Sequence, residues 1–301
     1  MTLATLFLAA LAAAPLTQAA DTPLVTVAWL AQRAGAPNLA IFHIGPRPDY
    51  DSAHIAGAQY LSLRDIATFP PEGPPLQLPD PAVLDSVLEA RGVSDDTRVV
   101  LYWSSSWVSP TTRAYLTLHW IGHGARTSIL DGGLAAWRAA GRPVTRDVPA
   151  APARGRFTPH PRSDVVVEAP FVRSQIGRTD WTIVDARNRE FYHGERPGNG
   201  TRSGHIPDAV SIPFTTVADS SDRFLAPDVL RRLLSESGAA PGRPLVAYCH
   251  VGQQATAVWF AARLAGYEAR LYDGSFDEWS RITAYPTVTT PVSQRPLSPP
   301  R

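Results

Sequence analysis

The chain of 301 residues contains no lysine, so all 28 of its basic residues are arginines. This excludes Schiff-base catalysis, a lysine that holds pyridoxal phosphate and the lysine of phosphate-binding loops. A single cysteine, Cys249, excludes disulfides within the chain and any zinc site built from several cysteines. Because 27 acidic residues balance the arginines to a net charge of +1, we do not expect nucleic acid as a partner.

The first twenty residues are an apolar run that ends in small residues and carries no charged side chain. The apolar stretch at 3–14 is too short to span a bilayer, but it suits the hydrophobic region of a secretory signal. Thr17 and Ala19 supply small residues at the two positions that a signal peptidase recognises. We predict that residues 1–20 are a signal peptide and that the mature protein is periplasmic, without a membrane anchor. A buried N-terminal helix is the alternative.

Four landmarks occur twice in the chain, in the same order. Apolar runs at 38–44 and 181–186 are each followed by a Ser-x-His-Ile motif. Further apolar runs at 98–102 and 244–248 each precede a predicted helix, at 112–121 and 255–264 respectively, and the sequences SILDGGLAAW and RLYDGSFDEW close the two copies. This order indicates an internal duplication. With 44% hydrophobic residues, the chain is long enough to bury two separate cores.

Short apolar strands alternate with segments of helical period, such as residues 81–91 and 227–236. That alternation is typical of βαβ crossovers and predicts an α/β fold, in which each copy is a mainly parallel sheet with helices on both faces. The predicted parts are the signal peptide 1–20, a first domain 24–146, a proline-rich linker 147–162, a second domain 163–287 and a poorly packed, proline-rich tail 288–301.

Cys249 directly follows the apolar strand at 245–248, and a helix is predicted from about Ala255. Ligands bind at this carboxyl edge of an open α/β sheet. Gly252 allows the loop to turn, so that successive N–H groups and the helix N-terminus form an anion-binding nest. Such surroundings stabilise a thiolate nucleophile, and we expect no metal or organic cofactor. The alternative is a buried cysteine that packs as a small hydrophobic side chain.

The first copy has Trp103 at the position that corresponds to Cys249, followed by three serines and Trp107. An indole cannot act as a nucleophile, so we predict that the first domain is chemically inert. The two indoles indicate either a filled pocket or a wall that faces the other domain.

These motifs resemble the tandem-domain rhodanese family of thiosulfate and 3-mercaptopyruvate sulfurtransferases. The resemblance covers residues 26–287 and rests on the Asp185-Ala186-Arg187 motif, the motif at 203–209, the Cys249 loop and the sequence YDGSFDEW. It implies an active second domain, in which Cys249 takes a sulfane sulfur from a small donor and carries it as a persulfide to a thiophilic acceptor. The implied cradle for that sulfur consists of the amides of His250, Val251, Gly252, Gln253, Gln254 and Ala255.

Some positions depart from the pattern of the family. Thiosulfate enzymes of the family have basic residues directly after the cysteine, where this chain has His250 and Val251. Phe191 stands where family members tend to carry an arginine, and Gln254 stands where threonine or arginine is common. We therefore expect weak binding of the thiosulfate dianion. Three arginines in or near the insertion at 195–202 are candidates to supply the missing positive charge: Arg189, Arg196 and Arg202. The insertion itself is either a mobile flap or a solvated surface loop.

Asp185 and Arg187 follow a strand, so they either line the cleft, with Arg187 binding substrate, or form a structural ion pair, which we favour. His250 adjoins Cys249 and is a candidate to stabilise the thiolate as an imidazolium. His54 and His205 recur at matching places in both copies, so we expect them to fix a turn.

Two other functions remain to be compared with sulfur transfer. A phosphatase loop of this type ends in an arginine that binds the phosphate with two hydrogen bonds. No arginine occurs between Cys249 and Arg263, so we do not expect a phosphatase. A non-enzymatic sulfur carrier or redox-sensing binding protein would use Cys249 stoichiometrically. The partners expected for the enzyme are a small sulfur donor and a thiophilic acceptor, which is a thiol, cyanide or an acceptor protein.

Overall fold

The computed structural model describes residues 22–105, 107–198 and 202–290. The predicted signal peptide at 1–20 and the part of the predicted tail from residue 291 onward lie outside the described residues. Within the described ranges, no helix is both long and apolar enough to cross a membrane.

The first domain is built on a parallel sheet with the strand order β1-β6-β5-β2-β4 and a small antiparallel pair, β3 with β7. Its strands are β1 (Leu24–Val25), β2 (Leu39–His43), β3 (His54–Ile55), β4 (Gln59–Tyr60), β5 (Arg98–Tyr102), β6 (Thr127–Leu130) and β7 (Val144–Thr145). Its helices are α1 (Val27–Ala31), α2 (Arg47–Ser52), α3 (Pro81–Glu89), α4 (Ser109–Trp120) and α5 (Gly133–Ala139).

The second domain repeats this sheet as β8-β12-β11-β9-β10, again with every neighbouring pair parallel. Its strands are β8 (Val166–Val167), β9 (Thr182–Asp185), β10 (Val210–Ser211), β11 (Leu245–Tyr248) and β12 (Ala269–Tyr272). Its helices are α6 (Ala169–Gln175), α7 (Arg189–Tyr192), α8 (Pro227–Glu236), α9 (Ala255–Leu264) and α10 (Ser275–Arg281). The identical strand order confirms two α/β units of the same type.

The central strands β5 and β11 are buried, apart from the first residue of β5, because helices cover both faces of a parallel sheet. Helix α3 begins where Asp80 caps it, accepting the Ala82 N–H at 2.8 Å, and a proline occupies the first turn, where its missing N–H costs nothing. Helix α4 begins at Ser109, three residues before the predicted start, because Pro110 also falls in a first turn.

Helices α4 and α9 bring the two domains together. Tyr115 of α4 packs edge-on against Phe260 of α9, with 4.9 Å between the ring centroids. The hydroxyl oxygens of Thr112 and Thr256 lie 2.7 Å apart on the same helices. One hydrophobic cluster therefore continues from the first sheet, through α4 and α9, to the second sheet.

The predicted linker at 147–162 contains no helix or strand, but it is attached to the first domain. Phe157 is buried, and the N–H of Gly155 donates to the carbonyl of Glu89 at 2.8 Å. The segment is therefore packed rather than free.

The start of the predicted tail is hydrogen-bonded to the second domain. The backbone of Val288 exchanges two hydrogen bonds with His205, of 2.8 and 3.0 Å. Trp279 secures the preceding residues, because its indole N–H donates to the Pro286 carbonyl at 2.9 Å and its ring packs against Tyr285.

Candidate active site

Cys249 is the first residue after β11 and lies at the carboxyl end of the second sheet, with no exposed surface. The loop that follows reaches α9 at Ala255, and Gly252 turns it with a φ of +77°. The loop residues His250, Val251, Gln253 and Gln254 are half-buried around the cysteine. Strand end, glycine turn and helix start therefore lie where the sequence predicts them.

Three carbonyl groups of this loop are held from outside. The N–H groups of Phe276 and Asp277, at the start of α10, donate to the carbonyls of Cys249 and His250, both at 3.0 Å. The carbonyl of Gly252 accepts from the guanidinium of Arg113 at 3.1 Å. Arg113 belongs to the first domain, and no sequence signal connects it with the loop.

None of the amide N–H groups from His250 to Ala255 has a hydrogen-bond acceptor among the described residues. In a trans peptide the N–H and C=O groups point in opposite directions. Carbonyls that are held from outside therefore turn N–H groups inward. The loop provides a set of free donors beside the cysteine, as an anion-binding nest requires.

Ser275 holds the amide of Cys249 itself, with 3.1 Å from that nitrogen to the serine Oγ. Ser275 has a φ of +53°, a left-handed conformation that costs a non-glycine residue about 1 kcal/mol. The first domain has Gly133, with a φ of +54°, at the matching position, where a Cβ would lie 2.6 Å from the Trp103 carbonyl. The serine was missed by the sequence analysis, although the change from Asp-Gly-Gly to Asp-Gly-Ser between the copies was a visible signal.

Asp185 and Arg187 form an ion pair with a closest distance of 2.6 Å, and neither side chain is exposed. The carboxylate also accepts the Tyr248 hydroxyl at 2.7 Å, and the guanidinium donates to the Gly204 carbonyl at 2.7 Å. These contacts fit the interpretation of Asp185 and Arg187 as a structural ion pair. One nitrogen of Arg187, Nη1, is buried and has no hydrogen-bond partner among the residues that the structure describes, and the role of this arginine in binding substrate stays a prediction.

His250 and Phe191 form an aromatic wall beside the loop, with their rings edge to face and 4.6 Å between centroids. Burial, and next the positive charge of Arg187, lower the pKa of His250 to about 4. The ring is therefore neutral at neutral pH. Our expectation of an imidazolium that stabilises the thiolate is wrong, because burial disfavours the charged form.

The candidate arginines around the insertion have different surroundings. Arg202 donates to the carbonyls of Trp279, Ser280, Ile282 and Tyr285 at 2.6–2.9 Å, so it caps the end of α10 and does not face the loop. Arg196 lies over the Phe191 ring and 3.8 Å from Glu190, whereas Arg189 is exposed. Residues 199–201 of the insertion lie outside the described ranges, so its two interpretations remain open.

The matching place in the first domain is built differently. His43 ends β2 where Asp185 ends β9, and its Nε2 lies 2.9 Å from Ser104 Oγ. Trp103 is buried in the position of the cysteine. Trp107 packs edge-on against Phe214 of the second domain, at 4.7 Å, so of the two interpretations of this indole the wall toward the other domain is correct.

The repeated histidines occupy equivalent places. His54 stacks on Tyr50 and donates its Nδ1–H to the backbone carbonyl of that residue at 2.8 Å, and His205 makes the same two contacts with Tyr192, at 2.7 Å for the hydrogen bond. The contact occurs also in the domain that lacks the cysteine, which agrees with the prediction that these histidines fix a turn. Within the described residues, no group of three or more His, Cys, Asp or Glu side chains could hold a metal ion.

Comparison with known protein families identifies both halves of this duplicated fold. The rhodanese-like domain matches residues 26–140 and again residues 169–282. The chain belongs to the rhodanese family. Each matched range contains every strand of one parallel sheet except the first in chain order, and Cys249 lies in the second range.

Relatives of this rhodanese align along most of their length. A probable 3-mercaptopyruvate sulfurtransferase of Pseudomonas aeruginosa is 35% identical over 282 residues, which are 88% of this chain and 98% of the relative. A putative thiosulfate sulfurtransferase of Mycobacterium tuberculosis is 32% identical over 288 residues, with coverages of 88% and 90%. A sulfur carrier protein of Thermus thermophilus is 28% identical over 291 residues, with coverages of 87% and 95%.

The rhodanese fold is also found in a solved structure. An anaerobic ergothioneine biosynthesis enzyme from Chlorobium limicola, in complex with trimethyl histidine, superposes with a TM-score of 0.77. The superposition covers 89% of this chain and 70% of that enzyme, at 22% identity. At this identity the likeness concerns the fold alone.

Proposed function

We propose that this rhodanese is a sulfurtransferase in which Cys249 carries the sulfur. The Cys249 thiolate attacks the sulfane sulfur of thiosulfate or the thiol sulfur of 3-mercaptopyruvate. A new S–S bond forms to Cys249, the S–S or C–S bond of the donor breaks, and the rest of the donor leaves with the electron pair of that bond. The leaving group is sulfite when thiosulfate is the donor. When 3-mercaptopyruvate is the donor, the leaving group is the pyruvate enolate, which takes up a proton. The acceptor then attacks the terminal sulfur of the persulfide, and the thiolate is released for another cycle.

The observation that carries this proposal is the set of free amide N–H groups from His250 to Ala255. A thiolate and a terminal persulfide sulfur are both anions, and fixed N–H donors stabilise both without reorganisation. The named relatives are sulfurtransferases and a sulfur carrier, which agrees with this chemistry.

The charges around the loop favour a donor with a single negative charge. Arg187, Arg196 and Arg281 lie near the loop, and each is paired with a carboxylate, of Asp185, Glu190 and Asp277 respectively. No surplus positive charge therefore remains from these pairs to bind a dianion. We expect the kcat/KM for 3-mercaptopyruvate to exceed that for thiosulfate by about tenfold or more, the effect of about one missing charge near the surface.

The test is the intact mass of the protein before and after exposure to each donor, followed by cyanide while thiocyanate is measured. Gain of one sulfur atom on Cys249, and its repeated transfer to cyanide, is the expected result. Cys249→Ser, which preserves the size of the side chain, is the matched control and must lose both signals while the fold is retained. Activity that persists in this variant would contradict the proposal.

The same experiment separates the enzyme from a sulfur carrier. A carrier gains the sulfur once and shows no turnover with a small donor. Its persulfide would be transferred only to a protein acceptor.

We also propose that the protein is exported to the periplasm after removal of residues 1–20. The support is the uncharged, apolar N-terminal pattern with small residues at Thr17 and Ala19. Fractionation of cells and N-terminal sequencing of the purified protein test this. A cytoplasmic protein that keeps its first twenty residues would refute it.

A further inference from the structure

One face of α4, in the domain without the cysteine, lies against the catalytic loop. Ser109, Thr112 and Arg113 occupy positions i, i+3 and i+4, which share a face of a helix. Gln253 donates its side-chain amide to Ser109 Oγ at 3.2 Å, and Thr256 lies 2.7 Å from Thr112. The loop is therefore in contact with the first domain over its second half.

Arg113 makes the central contact of this face and is fully buried. Its Nη1 donates to the carbonyl of Gly252 at 3.1 Å and also pairs with Asp273 Oδ1, while its Nη2 contacts Asp273 Oδ2 at 3.2 Å and the Leu76 carbonyl. Asp273 in turn accepts the Leu78 N–H at 3.1 Å. One guanidinium thus joins the loop, the turn before α10 and a segment of the first domain.

The contact fixes the orientation of a particular peptide plane. The carbonyl of Gly252 is held on the side of Arg113, so the N–H of Gln253, in the same plane, points to the opposite side. The backbone of Gly252 also lies close to Asp273, since a Cβ on the glycine would lie 2.7 Å from both the carbonyl oxygen and Oδ1 of that residue. The hydrogen bond from Arg113 therefore acts on an N–H of the sulfur cradle.

We propose that Arg113 is a positioning residue of the catalytic loop, through which the first domain keeps the Gln253 N–H directed at the sulfur of Cys249. This inference rests on the proposed sulfur transfer for its kinetic consequence, but its geometric consequence concerns the thiolate alone. A guanidinium suits the task because its fork reaches the carboxylate and the carbonyl together.

The chain contains a matched control. Arg223 of the second domain lies 3.9 Å from Asp131 of the first, at the Asp-Gly turn that corresponds to the turn of Asp273. This pair also joins the two domains, but its contacts include no residue of the catalytic loop. Arg223→Met therefore removes an interdomain ion pair and leaves the Gly252 carbonyl bound.

The experiment compares Arg113→Met, Arg113→Lys, the double variant Arg113→Met with Asp273→Asn, and Arg223→Met. The double variant removes the buried unpaired carboxylate that Arg113→Met leaves behind, which separates stability from loop geometry. Lysine keeps the charge beside Asp273 but lacks the fork. The measurements are the urea midpoint, the pH midpoint of Cys249 alkylation by iodoacetamide, and kcat and KM with the donor that the wild type uses.

We expect the double variant to recover the urea midpoint that Arg113→Met loses, while kcat stays lower by about tenfold or more, as on loss of one oriented donor. The alkylation midpoint moves to higher pH in all three Arg113 variants, because fewer N–H groups stabilise the thiolate. Arg223→Met keeps the wild-type kcat and alkylation midpoint.

Recovery of the wild-type kcat and alkylation midpoint in the double variant would overturn the proposal, because Arg113 would then be only the counter-ion of Asp273. An equal loss in Arg223→Met would overturn it too. If the wild type transfers no sulfur, the proposed function fails, whereas the alkylation profiles still test the orientation of the loop.

Discussion

Gly252 is a position at which the catalytic loop has no room for a side chain. Its φ of +77° is left-handed, and a Cβ there would lie 2.7 Å from two oxygen atoms of Asp273 and 3.1 Å from Arg113 Nη1. Gly252→Ala therefore combines backbone strain with a steric conflict against a buried ion pair. Gly266 has a similar φ of +87°, but apart from its chain neighbours no atom of the described residues lies within 4 Å of the place of its Cβ. Gly266→Ala is the matched control, because it has the strain without the conflict.

The left-handed conformation costs an alanine about 1–2 kcal/mol, and this applies to both variants. Overpacking a well-filled site typically costs a further 1–3 kcal/mol. We expect Gly266→Ala to lower the free energy of unfolding by about 1–2 kcal/mol, and Gly252→Ala by about 2–5 kcal/mol. Only Gly252→Ala displaces the loop, so only this variant loses sulfur transfer.

Urea unfolding at neutral pH measures both free energies, and thiocyanate formation measures activity. Equal free energies of unfolding in the two variants would refute the steric argument. Full activity of a destabilised Gly252→Ala protein would refute the assignment of the loop as the sulfur cradle.

Other changes give distinct outcomes. Ser275→Gly and Ser275→Ala both remove the acceptor of the buried Cys249 N–H, which costs about 1–3 kcal/mol, and we expect both to lose activity. Only glycine relieves the left-handed strain of about 1 kcal/mol, so urea unfolding shows Ser275→Gly to be the more stable variant. Equal stability of the two variants would contradict the strain. Arg187→Met leaves Asp185 buried without its cation, so the free energy of unfolding falls by about 3–5 kcal/mol, and a smaller loss would mean that the tyrosine contact suffices. Burial lowers the pKa of His250 to about 4 and that of His119 to about 3. Below about pH 6.5 these histidines therefore bind protons in the unfolded chain but not in the folded protein. The free energy of unfolding falls with the pH down to those lowered pKa values, by up to about 1.4 kcal/mol per pH unit for each histidine. His119→Phe reduces this slope in urea midpoints taken from pH 7 to 5; an unchanged slope would contradict the assignment.

The duplication explains why much of the fold was predictable. Each copy carries the same order of apolar runs and turn motifs, and parallel strands with covering helices follow from local hydrophobic periodicity. Helices α8 and α9 lie where their patterns predict them, at Pro227–Glu236 and Ala255–Leu264. The start of α4 differed by three residues, because a proline in a first turn does not end a helix.

The candidate site was predictable only where its parts are adjacent in sequence. Cys249, Gly252 and the start of α9 follow one another, so their geometry is encoded locally. Ser275 comes from another strand end, and Arg113 lies 139 residues from the carbonyl that it binds. The charge state of His250 was wrong for a related reason, since burial depends on neighbours such as Phe191 that the chain brings together only on folding.

The sequence by itself determined which chemical groups the protein has: no lysine, one cysteine, and two copies of an α/β unit, one of which has a tryptophan in place of the cysteine. These are local properties, and folding does not change them. The tertiary structure decided which groups surround that thiol. Hydrogen bonds between distant segments orient the peptide planes of the loop, and burial sets the charges beside it, so the first domain became part of the site of the second.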